Sequence, residues 1–170
     1  MTKKTKRSLI IIVSLILIML GVRLILILNK PNNIETTQAT QIEYKNTEYG
    51  FDFSLPTNWK GYTIISDNWK GNIVDAQPSQ SIKGPEIFIR NPLWTKDNPY
   101  QDIPIMIFTY DQWSLIQLEK LSVSAAPIGP SELGRNTKYI FALPARYNFA
   151  FPTGSEEVEK IIESKPLLAF

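Results

Sequence analysis

Gly50-Phe51-Asp52-Phe53-Ser54-Leu55 alternates without a break between large apolar and small or acidic side chains. Side chains of an extended chain point alternately to opposite faces, so Phe51, Phe53 and Leu55 share one face and Asp52 and Ser54 the other. That is the pattern of a strand with one face against a core and one toward water, and Pro56 ends it. Such a strand needs partners of the same kind, and the rest of the chain supplies them. Residues 62–65 read as a second strand. Asn68-Trp69-Lys70-Gly71 carries turn chemistry, 72–75 reads as a short return strand, and 77–84 as a polar loop. After Pro85, Glu86-Ile87-Phe88-Ile89-Arg90 is a clear strand, and 91–101, with Pro92 and Pro99, a long loop.

Ile103-Pro104-Ile105-Met106-Ile107-Phe108 is apolar on both faces and reads as a central strand, 103–110, with Pro104 at its start. Thr109 and Gln112 have the spacing of a capping box, and Asp111 adds a first-turn acid. Trp113, Leu115, Ile116, Leu118 and Leu121 continue at near-helical spacing, which predicts a helix of about ten residues. Residues 122–134 read as a loop, and 138–143 and 146–151 as two strands, the second alternating Tyr147, Phe149 and Phe151 with Arg146, Asn148 and Ala150. Thr153 and Glu156 repeat the capping-box spacing. Val158, Ile161 and Ile162 stripe a last helix that Pro166 ends. About six strands in hairpin-like succession and two late helices predict an α+β domain, an antiparallel sheet with packed helices.

The chain has 170 residues and a net charge of +2, but the charge is unevenly placed. Residues 1–30 hold six basic residues and no acid, which leaves 12 basic and 16 acidic residues after them. A mildly acidic body speaks against nucleic acid as a partner, because phosphate binding needs a basic surface. Residues 8–28 are almost wholly apolar, and about 20 such residues in a helix span the hydrocarbon core of a bilayer. Arg23 lies near the end, where its side chain reaches the headgroups. The four basic residues before the segment outnumber Lys30 after it, which orients the N-terminus toward the cytoplasm. The expected organisation is a cytoplasmic tail, 1–7; a transmembrane anchor, 8–28; a polar linker, 29–41; and an extracytoplasmic domain, 42–170. A cleavable signal peptide is the alternative for the apolar segment, and both readings export the domain. A buried soluble helix is disfavoured, since the segment is apolar on every face.

The chain contains neither cysteine nor histidine. That excludes disulfides, thiol nucleophiles, histidine-ligated zinc, an imidazole general base and a lipid-bearing cysteine. An exported domain without cysteine or an N-glycosylation sequon resembles a bacterial extracytoplasmic protein.

Tyr49-Gly50-Phe51-Asp52-Phe53-Ser54-Leu55-Pro56-Thr57-Asn58-Trp59 resembles the opening signature of PsbP-like domains: an aromatic-Gly-Phe-x-Phe strand, a proline, then a tryptophan. The resemblance implies the Mog1/PsbP-like fold, an antiparallel sheet sandwiched by helices, and a binding or assembly factor rather than an enzyme. The sequence lacks the histidines of the metal sites proposed in plant members, so neither those sites nor a photosystem role carries over.

Three arginines of the domain, Arg90, Arg135 and Arg146, lie near ends of predicted strands. Their planar forks suit carboxylate or phosphate recognition if they converge. The alternative is pairing with neighbours such as Glu86, Asp111 or Glu132. Trp69 and Trp94 fall in predicted loops, where an exposed indole stacks on a sugar or grips a peptide, whereas Trp59 and Trp113 fit core positions. Asp97 and Asp102 flank an oxygen-rich loop without the spacing of a calcium loop. Ser155 and Lys160 lack a Ser-x-x-Lys motif, and Glu156 and Glu157 serve a helix start. No cofactor or metal is expected. The candidate ligand surface is Trp69, Arg90, Trp94, Arg135 and Arg146, on a non-catalytic binding or assembly domain tethered to the cell membrane by its N-terminal helix. Its expected partner is a protein, a peptide or an envelope component. A cell-envelope hydrolase using carboxylates, or a structural subunit of a membrane complex, are the alternatives.

Overall fold

Nine strands and two α-helices build two sheets in the computed structural model, which describes residues 41–125 and 128–170. The tail 1–7 and the anchor 8–28 lie outside the described residues, as does the expected linker apart from Gln41, the first residue of β1. Among the described residues no helix is long and apolar enough to cross a membrane. The strands are β1 (Gln41–Asn46), β2 (Phe51–Pro56), β3 (Thr63–Ile73), β4 (Ser81–Arg90), β5 (Ile103–Thr109), β6 (Leu121–Ser122), β7 (Ser131–Arg135), β8 (Tyr139–Leu143) and β9 (Leu167–Ala169). Helix α1 is Tyr110–Gln117 and α2 is Ser155–Glu163. The smaller sheet has the order β1-β2-β9 and the larger β6-β3-β4-β5-β8-β7, with every pairing antiparallel. The class is α+β.

The alternation in the sequence decides the layers. Phe51, Phe53 and Leu55 of β2 are buried against Ile87, Ile89, Ile103, Ile105, Ile107 and Phe141 of the larger sheet, with Val158 and Ile161 of α2 beside them. On the sheet's other face Trp69, Met106, Phe108, Ile140 and Ala142 pack with Trp113 and Ile116 of α1. β5 is therefore covered on both faces, which is why it reads as a continuous apolar run. At α1 the capping box forms as its spacing predicts: the Thr109 hydroxyl accepts from the Gln112 amide, and the Gln112 side chain accepts from the Thr109 amide.

Several expectations change. Asn68-Trp69-Lys70-Gly71 is not a turn, and 72–75 is not a return strand: β3 runs on to Ile73, and the chain turns back after it. The reason is Trp69, which is 3% exposed, donates from Nε1 to the Ile107 carbonyl at 2.9 Å and stacks 4.7 Å from the Phe108 ring. Its indole occupies the space that a side chain at Gly84, its cross-strand partner, would fill. Packing thus overrides local turn propensity. β4 begins within the expected polar loop, β7 forms within the expected 122–134 loop, and Leu121 leaves the helix to join β6. Residues 146–151 do not form a strand, for no neighbouring strand is offered to them. They make turns, with positive φ at Arg146 (57°) and Phe151 (45°). Thr153 does not cap α2; Gly154, at φ 83°, holds that position with no side-chain cap bond. Two further strands were not expected: β1, where Ile42 and Tyr44 alternate with polar residues, and β9, whose three residues are too few to show a period; with β2 they make the second sheet.

Candidate ligand-binding surface

The five residues expected to form one surface do not come together. Trp69 is in the core, so it is not a binding residue. Arg90 pairs with Asp102 rather than Glu86: Nε lies 3.1 Å and Nη2 2.7 Å from the carboxylate. The same guanidinium lies 3.8 Å from the centre of the half-buried Trp94 ring. The hydrogen bond to Asp102 raises the Arg90 pKa further above its ordinary range. Asp102 is thereby engaged, and among the described residues no group of three acids could hold a metal ion. Arg135 pairs with Glu132 three residues before it. Its place in the ladder is level with Ile140 and Phe108, whereas Arg90, next to Ile89, is level with Asp102. Six residues along β5 amount to about 20 Å, too far for the two guanidinium groups to share one anion. Arg146 lies at the Arg90 end, its guanidinium 5.8 Å from the centre of the Phe149 ring.

What gathers at that end is aromatic. A groove of about 390 Å³ is lined by Phe88, Tyr100, Gln101, Pro104, Pro144 and Tyr147 among others. Gln101 is buried at its base. Its Nε2 donates to the Asp102 carbonyl at 2.7 Å and to the Tyr147 carbonyl at 3.4 Å, while Oε1 has no hydrogen-bond partner among the described residues. The Tyr100 hydroxyl donates to Glu157 of α2 at 2.8 Å, and burial raises its pKa. The Tyr100 ring lies where a side chain at Gly154 would stand, so glycine is needed there twice over, for its φ and for the ring. Beyond Tyr147 the chain turns, and Phe149 and Phe151 are 72% and 77% exposed. A bulky residue at positive φ is a strained conformation, and here it holds an apolar ring in water. Tyr147, Phe149 and Phe151 are legible in the sequence as an alternating trio; what the alternation hides is that two of them face solvent.

A second cluster was not legible. Asp67 and Glu86 lie directly opposite each other across β3 and β4, so their side chains share a face. Burial first, and the Asp67 charge second, push the Glu86 carboxyl up to about 7. Both residues border a cleft of about 330 Å³, with Tyr44, Asn46 and Tyr49 on its other side. Nineteen positions separate the two acids in sequence, and only the register of the long hairpin brings them together.

No protein-family model matches the chain, and neither a curated protein nor a solved structure matches it.

Proposed function

We propose that this protein is a non-catalytic binding module held at the outer face of a cell membrane by its N-terminal helix, with a fold of the Mog1/PsbP type. One observation carries the binding part: Phe149 and Phe151 are exposed on a strained turn beside the Tyr100–Tyr147 groove. Exposed aromatic rings beside an apolar groove mark interaction sites, because leaving them in water costs free energy that a partner recovers. The tether rests on the apolar segment 8–28 and its basic flank, and the fold kinship on Tyr49–Trp59, whose strand and tryptophan lie in the core. The ligand surface is accordingly moved from the five residues named from sequence to the aromatic turn, with Arg146 retained at its edge.

The experiment places a photoreactive amino acid at position 151 of the full chain in its own membrane. A discrete cross-linked species is expected, reduced at least fivefold by Phe149→Ser. The same probe at Leu118, equally apolar and exposed on the far side of α1, is expected to give none. Equal labelling at both positions refutes the reading. Replacing residues 1–30 with an unrelated anchor tests the tether: the cross-link survives if the helix only holds the domain in place, and is lost if the helix is itself the contact, as in a structural subunit. The carboxylate hydrolase stays as a second reading on one observation, Glu86 directly opposite Asp67 with its carboxyl pushed up to about 7 by burial, which puts a proton-exchanging acid beside a second carboxyl group. Glu86→Gln then abolishes hydrolysis of envelope glycans.

A further inference from the structure

β3 is eleven residues long, yet β6 pairs only with its last two, Asn72 and Ile73. Along 63–70 its outer edge has no strand beside it among the described residues, and most of these residues are exposed. An unpaired strand of this length is a template for another, and the charges on it say what kind.

The register sets Asp67 opposite Glu86 and Lys70 opposite Lys83. Positions three apart on a strand point to opposite faces. The edge therefore shows two acids on the face that carries Trp69 and two lysines on the other, three residues on. Like charges directly opposite are destabilising. No member of either pair forms an ion pair among the described residues. The remaining neighbours do not supply one: β5 sets Met106 opposite Glu86, and the β1–β2 turn brings Glu48 to the adjoining cleft.

Parity denies a second copy of the chain this charge match. Two β3 edges paired antiparallel about a two-fold axis keep their faces in common, so odd positions meet odd ones and even positions meet even ones. Asp67 is odd and Lys70 even, and they are the only charged residues of β3. In every register of self-pairing Asp67 meets threonine, isoleucine, tryptophan, glycine or another aspartate, and never a lysine.

We infer that the β3 edge accepts an extended segment of a different protein, running antiparallel, with an acidic residue opposite Lys70 and a basic residue three positions later opposite Asp67. Antiparallel pairing matches every other pairing in the sheet and is slightly the more stable per residue. The basic side chain lies one strand spacing, about 4.8 Å, from β3, and its stem reaches over Asp67 toward Glu86. Each end of the segment then neutralises one of the two like-charged pairs.

The test uses the full-length chain and two nine-residue threonine–valine peptides. One carries glutamate and, three residues later, arginine; the other carries the two in reversed order. The first is expected to bind at least tenfold more tightly and to slow amide hydrogen exchange along 63–70. The double variant Asp67→Lys, Lys70→Glu is expected to reverse the preference, and Asp67→Asn, which leaves the fold least disturbed and Lys70 in place, to weaken it. Equal binding of the two peptides, preference for the reversed one, or binding without protection of 63–70 overturns the proposal. So does protection of 63–70 that grows with protein concentration when no peptide is present, which would make the partner a second copy.

Discussion

Glu86 makes the stability of the domain depend on pH in a direction opposite to that of most carboxylates. Its ordinary pKa is 4.5 and the fold pushes it up to about 7. Below pH 4.5 the carboxyl is neutral both folded and unfolded and contributes nothing to the difference. Between 4.5 and about 7 the unfolded chain releases the proton while the folded one keeps it, so folding loses stability as pH rises, and the loss levels off above about 7. At about 1.4 kcal/mol per pKa unit the full shift corresponds to roughly 3.4 kcal/mol. Glu86 is only half-buried, and screening by solvent reduces this to about 1.5–2 kcal/mol. Glutamine has nearly the same shape as protonated glutamate and cannot ionise. Glu86→Gln is thus expected to match the wild type at pH 4.5 and to exceed it by about 1.5–2 kcal/mol at pH 8. The assay is urea unfolding of the full chain in mild detergent, followed by tryptophan fluorescence at intervals between pH 4.5 and 8. Because Asp67 is the second cause of the shift, Asp67→Asn should recover a smaller part of the same loss. If wild type and Glu86→Gln keep a constant stability difference from pH 4.5 to 8, the reasoning fails.

Four further outcomes follow from burial and capping. Trp69→Ala empties a buried indole site and removes the bond to the Ile107 carbonyl, so it should cost about 3–5 kcal/mol in urea unfolding. Gly84→Ala drives a methyl group into that indole and should cost about 1–3 kcal/mol, and substantially less when Trp69 is replaced by a smaller side chain in the same chain, a coupling that a double-mutant cycle measures. Thr109→Ala removes the acceptor of the α1 cap and should cost about 1 kcal/mol, whereas Phe149→Ser, at a site exposed to water, should stay within about 0.5 kcal/mol of the wild type.

How much of this was legible depends on whether a residue's environment is local. The alternation of Phe51, Phe53 and Leu55 states its own geometry, as do the two-faced run through Ile103 and Phe108 and the Thr109–Gln112 cap, and all three form as read. Trp69 was misplaced because its neighbours Asn68 and Gly71 favour a turn, while the contacts that hold it come from Gly84 and Ile107, 15 and 38 positions away. Tyr147, Phe149 and Phe151 alternate as a strand does, but a strand needs a neighbour, and no local signal tells whether one is present. Of the acid partners named for the arginines only Glu132 is taken, by Arg135; Arg90 chose Asp102 because β4 and β5 are adjacent, and Arg146 lies over the Phe149 ring. The edge of β3 and its crossed charges depend wholly on register, which the sequence does not spell out.

The small sheet has a consequence for the order in which the domain is made. β2 pairs on one side with β1, joined to it by a short turn, and on the other with β9, more than a hundred residues further on. During synthesis the first of these partners is at hand almost at once, and the second emerges only after more than a hundred further residues. Until Leu167–Ala169 arrive, one flank of the strand that carries Phe51 and Phe53 stays open, beside the largest buried rings of the domain. Until then the open flank is exposed to wrong pairing, and β9 acts as a latch. Deleting Leu167–Ala169 is a small change in mass, but it leaves that flank open for good.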